Sequence, residues 1–412
     1  MSSPDEPRPA VITEPAQVAE LVARIERAPL VAFDLEFVSQ DRLVPVLCLI
    51  QVAWLGEHVS LDAPADAIVA EHPEVRLVDP LATDVRPLVE ALAAHPLVVA
   101  HAPRQDLGLL ASRFGTSMPG VIDTQLMAAL CGVGDQIGLA ALGNELLGLS
   151  LAKDMQWTAW ERRPLSAAQL TYAEADVRHL PALYALLAER LGPRLAWARE
   201  ESLAVLADAA AAAAVTPETA WQNVGGVRGL DPAARAAVVV LAAWRQRVAI
   251  ELDRPLGQVL PDKALVELAR SRPEGPGGVR AIKGMAPIGK TRAQEIVAAL
   301  ALAERPIATA ERPSWRAPST RAQRWAEMLI AIVQVVSEES RIAPRLLGTR
   351  ADAEELARTV DEHGIAAAAR LPAFATWRRE VLGSVWEGWL TGRIAIVGDA
   401  TATHGLRLVA RD

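Results

Sequence analysis

The chain has 412 residues, 51% hydrophobic and 22% charged, with a net charge of −8 and two cysteines, Cys48 and Cys131. That composition excludes a disordered chain, two cysteines exclude a disulfide framework and favour a reducing cytoplasm, and no apolar run reaches the roughly 18 residues of a membrane span. The polar start MSSPDEPRPA carries no signal-peptide pattern. Length predicts two or three domains. Residues 1–215 carry 15 Lys and Arg against 28 Asp and Glu, whereas residues 216–412 carry 27 against 22. An acidic half joined to a basic half suits a metal-dependent site beside a module that holds polyanions.

In chain order, PLVAFDLEF and VLCLIQVAW read as strands, and EHVSLDA is expected as a third. PLVEALAAH is helical, PLVVAHA is a short buried strand, and helical periods follow in DLGLLASRF, TQLMAALCG and AALGNELLG. The long segment SAAQLTYAEADVRHLPALYALLAERL is helical, with Ser166 as its N-cap. This alternation predicts an α/β domain around a central sheet. Past Gly192-Pro193 the strand patterns stop. Residues 217–304 read as all helical, with turns at Asp253-Arg254-Pro255, Arg272-Pro273 and Gly284. A Pro-rich connector, 305–320, precedes a third helical stretch, 321–390, and GRIAIVGDATATHGLRLVA is expected to form a closing hairpin.

Three of these segments carry acids where acids are costly to desolvate. In VAFDLEF, residues 31–37, Asp34 and Glu36 lie two apart on a strand and so share a face. In VVAHAPRQDLGLL, Asp106 follows a buried strand near the start of a helix, with His101 five residues earlier. In LTYAEADVRHL, Tyr172 and Asp176 are four apart and stack on one helix face. Four carboxylates and a phenol brought to one place form an all-oxygen set suited to Mg²⁺ or Mn²⁺ rather than zinc.

Asp-x-Glu on a strand, Asp after a strand and Tyr-x3-Asp on a helix, in that order, resemble the DEDDy 3′→5′ exonucleases, and the ribonuclease D family in particular. FDLEFVSQ, LCLIQ, IDTQLMAALCG and WTAWERRPLSAAQLTYAEADV strengthen the resemblance over residues 20–195. Thr171 stands where the DEDDh relatives carry histidine, and Asp123 of IDTQ is expected to be structural. The resemblance implies an RNase H-like exonuclease domain with a mixed sheet flanked by helices. It implies that Asp34, Glu36, Asp106 and Asp176 hold two cations roughly 3.5–4 Å apart across the scissile phosphate, with Tyr172 orienting or helping to deprotonate the attacking water.

Residues 225–304 resemble the HRDC domain, and LLGTRADAEELA with ATWRREVLGSVWEGWLTGR echoes a second such unit. The expected division is an exonuclease domain at 1–215, an HRDC domain at 216–312 and a second HRDC-like domain at 313–412. His101, Trp157, Arg245, Arg247, Lys283 and Lys290 are candidates for nucleic-acid contact, as are Arg228, Arg254, Lys263 and Arg292, and Trp160 for base stacking. GMAPIGKT, 284–291, has the letters of a phosphate-binding loop, but no apolar strand precedes it, so no nucleotide triphosphate is expected.

The sequence therefore predicts a monomeric, metal-dependent 3′→5′ exoribonuclease acting on single-stranded RNA 3′ ends, with transfer RNA precursors the family expectation. Products would be nucleoside 5′-monophosphates. A 3′→5′ DNA exonuclease and a non-catalytic RNA-binding scaffold are the competing readings.

Overall fold

The computed structural model describes residues 11–151, 158–227, 229–303 and 318–411. The apolar segments of the first half pair into one sheet of β1 (Val11–Ile12), β2 (Val31–Val38), β3 (Val46–Trp54), β4 (Glu74–Val78), β5 (Val98–Ala100) and β6 (Val121–Asp123). Their order is β1-β4-β3-β2-β5-β6. β3 runs antiparallel to both β2 and β4, while the other pairs are parallel.

EHVSLDA corrects the sequence reading: it is not a strand but two turns, closed by Val59 N–H to Gly56 and Ala63 N–H to Ser60. Its alternation buries Val59 beneath those turns. The sheet has no edge left for it there, because β3 already pairs on both sides and β4 takes β1 on its far edge.

Alternation along β2 gives each face of the sheet its own core. Val31, Phe33 and Leu35 join Leu21, Leu88 and Leu107 of the helices Pro15–Ile25, Arg86–Ala94 and Arg104–Phe114. Leu30 and Ala32 join Met127 and Leu183 of the helices Thr124–Leu130 and Leu180–Leu191 on the other side. By the period of two, Asp34 and Glu36 lie on this second side. The helix Ala167–Arg178 crosses β2, β3 and β4, its Ala173 and Tyr172 packing with Leu49, Leu77 and Trp160. Ser166 caps this helix in a reciprocal capping box with Gln169.

Residues 215–303 build a separate, all-helical core from the helices Pro232–Leu252, Asp262–Ser271 and Lys290–Leu302. GMAPIGKT joins the helix Pro276–Ala281 to the helix Lys290–Leu302, with Gly284 at φ +87°. The preceding element is a helix, so the segment is a helix–helix turn. The third stretch holds the helices Thr320–Ser340, Arg350–His363 and Ser384–Leu390, then a hairpin of β7 (Ile394–Gly398) and β8 (Leu406–Ala410). Its Leu329, Ile332 and Trp386 belong to the same apolar core as Leu30, Met127 and Leu183 of the sheet domain. Most of the Pro-rich connector lies outside the described residues.

Candidate active site

The parallel pairing of Val31 with Val98 and Ala32 with Val99 ends β5 beside the middle of β2. The chain then turns and starts the helix Arg104–Phe114, which carries Asp106 in its first turn. From the antiparallel side, the helix Ala167–Arg178 lays Tyr172 and Asp176 over the same end of β2. Carboxylate oxygens of Asp34, Glu36 and Asp176 lie within 4.8 Å of one another. Asp106 stands outside that trio, buried, and close enough to raise the pKa of both Asp34 and Glu36.

Four acids in one recess disfavour their own ionisation. Burial, then the charges of Asp106, Asp176 and Glu36, raise Asp34 well above the usual carboxylate range, although the Leu35 N–H pulls it back somewhat. Burial and the charges of Asp176 and Asp106 push Glu36 up to about 9. Burial pushes Asp106 and Asp176 up to about 7, with a hydrogen bond from Tyr172 offsetting part of the rise at Asp176. Burial and the surrounding carboxylates raise the Tyr172 phenol as well. A cluster of hard oxygen donors that repel one another fits a divalent cation, which removes both the repulsion and the protons.

The other candidates are placed elsewhere. His101 hydrogen-bonds Thr124 Oγ1 at 2.9 Å and the Ile137 carbonyl at 3.0 Å, so both ring nitrogens are occupied by the fold; burial pushes its pKa down to about 4, leaving it neutral. A phosphate contact by His101 has no free ring nitrogen here. Arg245 is also misplaced by the sequence reading, being 3% exposed and bonded to the Leu260 carbonyl and Asp262. Arg247, Lys283 and Lys290 are exposed, as are Arg254 and Lys263, while Arg292 is paired with Glu295 and Glu251. Trp160 lies buried with its ring 6.3 Å from Tyr172, so it offers no exposed face for stacking. Trp157 and Arg228 fall outside the described residues. Asp123 caps the helix Thr124–Leu130 and accepts from the Ala102 N–H at 2.9 Å, a structural position.

Sequence reading missed two residues beside these elements. Gln51 of β3 pairs directly with Asp34. Arg163, in the loop before the helix Ala167–Arg178, uses all five of its N–H donors: two to Asp79, and one each to the carbonyls of Cys48, Trp160 and Arg162. Asp79 is 6% exposed in its side chain; burial works to raise its pKa, but the hydrogen bonds and charge of Arg163 together with the N–H groups of Leu81 and Ala82 hold it below the usual range. This clamp ties the loop to β3 and to the end of β4, fixing where the next helix begins. The segment WERRPLS signalled it, but no spacing in the sequence announces the partner Asp79.

A model of the 3′-5′ exonuclease family matches residues 9–192, and one of the HRDC domain matches residues 235–300. Ribonuclease D of Acidiphilium cryptum strain JF-5 is 33% identical over 405 residues, covering 96% of each chain. The chain belongs to the ribonuclease D family. A second ribonuclease D, from Gluconacetobacter diazotrophicus, is 31% identical over 408 residues, again 96% of each chain. The crystal structure of Escherichia coli RNase D, an exoribonuclease involved in structured RNA processing, aligns with a TM-score of 0.78 at 25% identity, over 94% of this chain and 99% of that one. As a ribonuclease D relative, the protein is a 3′-5′ exoribonuclease with an α/β nuclease domain and a helical HRDC region. Among the described residues no helix is long and apolar enough to cross a membrane.

Proposed function

We propose that Asp34, Glu36, Asp106 and Asp176 hold a pair of divalent cations, Mg²⁺ or Mn²⁺, and that the protein trims single-stranded RNA 3′ ends, those of transfer RNA precursors included, to nucleoside 5′-monophosphates. The observation that carries this is the meeting of Asp34, Glu36 and Asp176 oxygens within 4.8 Å, from one strand and one distant helix. Bound there, the cations would neutralise charge on the scissile phosphate and acidify a water for attack.

The protein's own groups supply the rest. Once ionised, Asp34, Glu36 and Asp176 would hold cations from the meeting point of their oxygens, and Asp106 would add a fourth carboxylate from the helix Arg104–Phe114. Burial and the neighbouring carboxylates hold the Tyr172 phenol protonated in the metal-free protein, and beside bound cations its hydroxyl would orient or help deprotonate the attacking water. Division at 1–215, 216–312 and 313–412 is proposed on the same footing, with Arg247, Lys283 and Lys290 of the middle unit meeting RNA phosphates.

A time course on RNA labelled at either the 3′ or the 5′ end, beside matched DNA, tests this reading. We expect stepwise shortening from the 3′ end, mononucleotide product, faster loss of RNA than DNA, and no reaction in EDTA. Internal cleavage, or equal rates in EDTA, would refute it.

A further inference from the structure

Gln51 stands in the antiparallel ladder between Asp34 of β2 and Leu77 of β4. Residues opposed in this way share a face, with Cβ atoms about 4.5–5.5 Å apart. That face is the one beneath the helix Ala167–Arg178, where Leu49, Leu77, Trp160 and Ala173 pack together. Gln51 is fully buried, and neither its Nε2 nor its Oε1 has a hydrogen-bond partner among the described residues.

A buried amide with no partner is among the costlier defects a fold can carry. Its same-face neighbours Leu49 and Ala53 along β3 and Leu77 across on β4 are apolar, and a methionine of nearly the same shape would fill the space without that cost. The single polar side chain directly beside it in the ladder is Asp34. A carboxylate that must be ionised to work attracts an N–H donor, and such charge-assisted bonds are the stronger kind.

We infer that Gln51 is a positioning residue for the exonuclease site, its carboxamide held unpaired beside Asp34 so that Nε2–H can donate to the ionised Asp34 carboxylate and Oε1 can accept from a water of the site. The inference rests on the proposed role of Asp34. The residue does not touch the reacting phosphate; it fixes the orientation of the carboxylate that does the holding. Misplacing such a group by about 1 Å can cost on the order of 100-fold in rate.

The test compares Gln51→Met and Gln51→Leu with Asp34→Asn and wild type in the full chain. Three quantities are read: the melting temperature of the metal-free protein, Mn²⁺ affinity, and kcat and KM on a single-stranded RNA. Removing an unsatisfied amide should leave the metal-free melting temperature unchanged or raise it by about 2–5 °C. The same variant should bind Mn²⁺ more weakly and lose roughly 10- to 100-fold in kcat, with KM within about threefold. A stabler protein with a slower reaction is a pairing that a purely structural glutamine does not give. Wild-type kcat and Mn²⁺ affinity in both Gln51 variants would overturn the inference, as would a fall in stability that accounts for the lost activity. If Asp34→Asn is itself fully active, the site assignment fails instead, and the two failures are told apart.

Discussion

The middle and C-terminal helical units are attached to the nuclease domain by opposite means. The C-terminal unit is fused to it through a shared core, in which Leu329, Ile332 and Trp386 lie with Leu30, Met127 and Leu183. Around that core, Arg378 pairs with Glu201 at 2.6 and 2.7 Å, Trp377 donates to Glu201 at 2.9 Å, and the Trp377 and Trp197 rings stack at 5.0 Å. The Ala343 N–H reaches the Ala129 carbonyl at 2.8 Å. The middle unit has a core of its own. It meets the nuclease through a polar clasp at the tip of the β2–β3 hairpin, the hairpin whose first strand carries Asp34 and Glu36. There the Asp253 carboxylate accepts from the N–H groups of Leu43 and Val44 at 3.2 and 3.3 Å and from Arg42 at 3.4 Å, and Gln258 donates to Asp41 at 2.6 Å. A desolvated junction is costly to break because it strands buried groups, whereas a half-exposed clasp exchanges its bonds for water. The C-terminal unit thus packs as part of the nuclease body, whereas the middle unit stands on its own core.

The largest effect should come from breaking the fused side. Arg378→Ala leaves the mostly buried Glu201 carboxylate facing Trp377 alone, and should cost roughly 3–5 kcal/mol in chemical denaturation of the nuclease body. A loss below about 1 kcal/mol would show the pair to be no more than a surface contact.

A second contrast is in pH dependence. The folded metal-free protein holds protons on Glu36 up to about 9 and on Asp106 and Asp176 up to about 7, where an unfolded chain releases them near 4. The stability this gives is fully present at low pH and is lost as pH rises through those folded values. The melting temperature of the nuclease body should therefore fall between about pH 5 and about pH 9 in EDTA, and saturating Mn²⁺ should flatten that slope. The transition of the middle unit should be indifferent to the metal. A nuclease transition that rises with pH in EDTA would contradict the burial described for these acids.

The smallest thermodynamic effect is expected at the clasp. Asp253→Ala should change global stability by about 1 kcal/mol or less, yet enlarge the radius of gyration in solution scattering as the middle unit leaves the hairpin. An unchanged scattering profile would mean that other contacts hold that unit in place.

The meeting of Asp34, Glu36 and Asp176 was legible in the sequence because the acids sit at periods that fix direction: two along a strand for Asp34 and Glu36, four along a helix for Tyr172 and Asp176. Their arrival at one place followed from strand pairing that no spacing prints, so Gln51 opposite Asp34 and Asp79 beneath Arg163 went unassigned. Arg245 was misread for a related reason. It lies among basic residues on a long helix, and only the packing of that helix shows that its guanidinium faces inward to Asp262. Short strands escaped too: β1 is two residues long, and β4 is defined by its neighbours as much as by EVRLV. The shared core of the first and third units could not be read at all, because apolar helix faces do not name their partners.

Asp34→Asn is the decisive substitution, since it removes one carboxylate and almost no volume from the middle of the acidic cluster. With Mn²⁺ saturating for wild type, it should lose at least about 1,000-fold in RNA degradation and most of its Mn²⁺ affinity, while the melting curve in EDTA and the affinity for RNA stay near wild type. A folded Asp34→Asn protein that shortens RNA at the wild-type rate would contradict the claim.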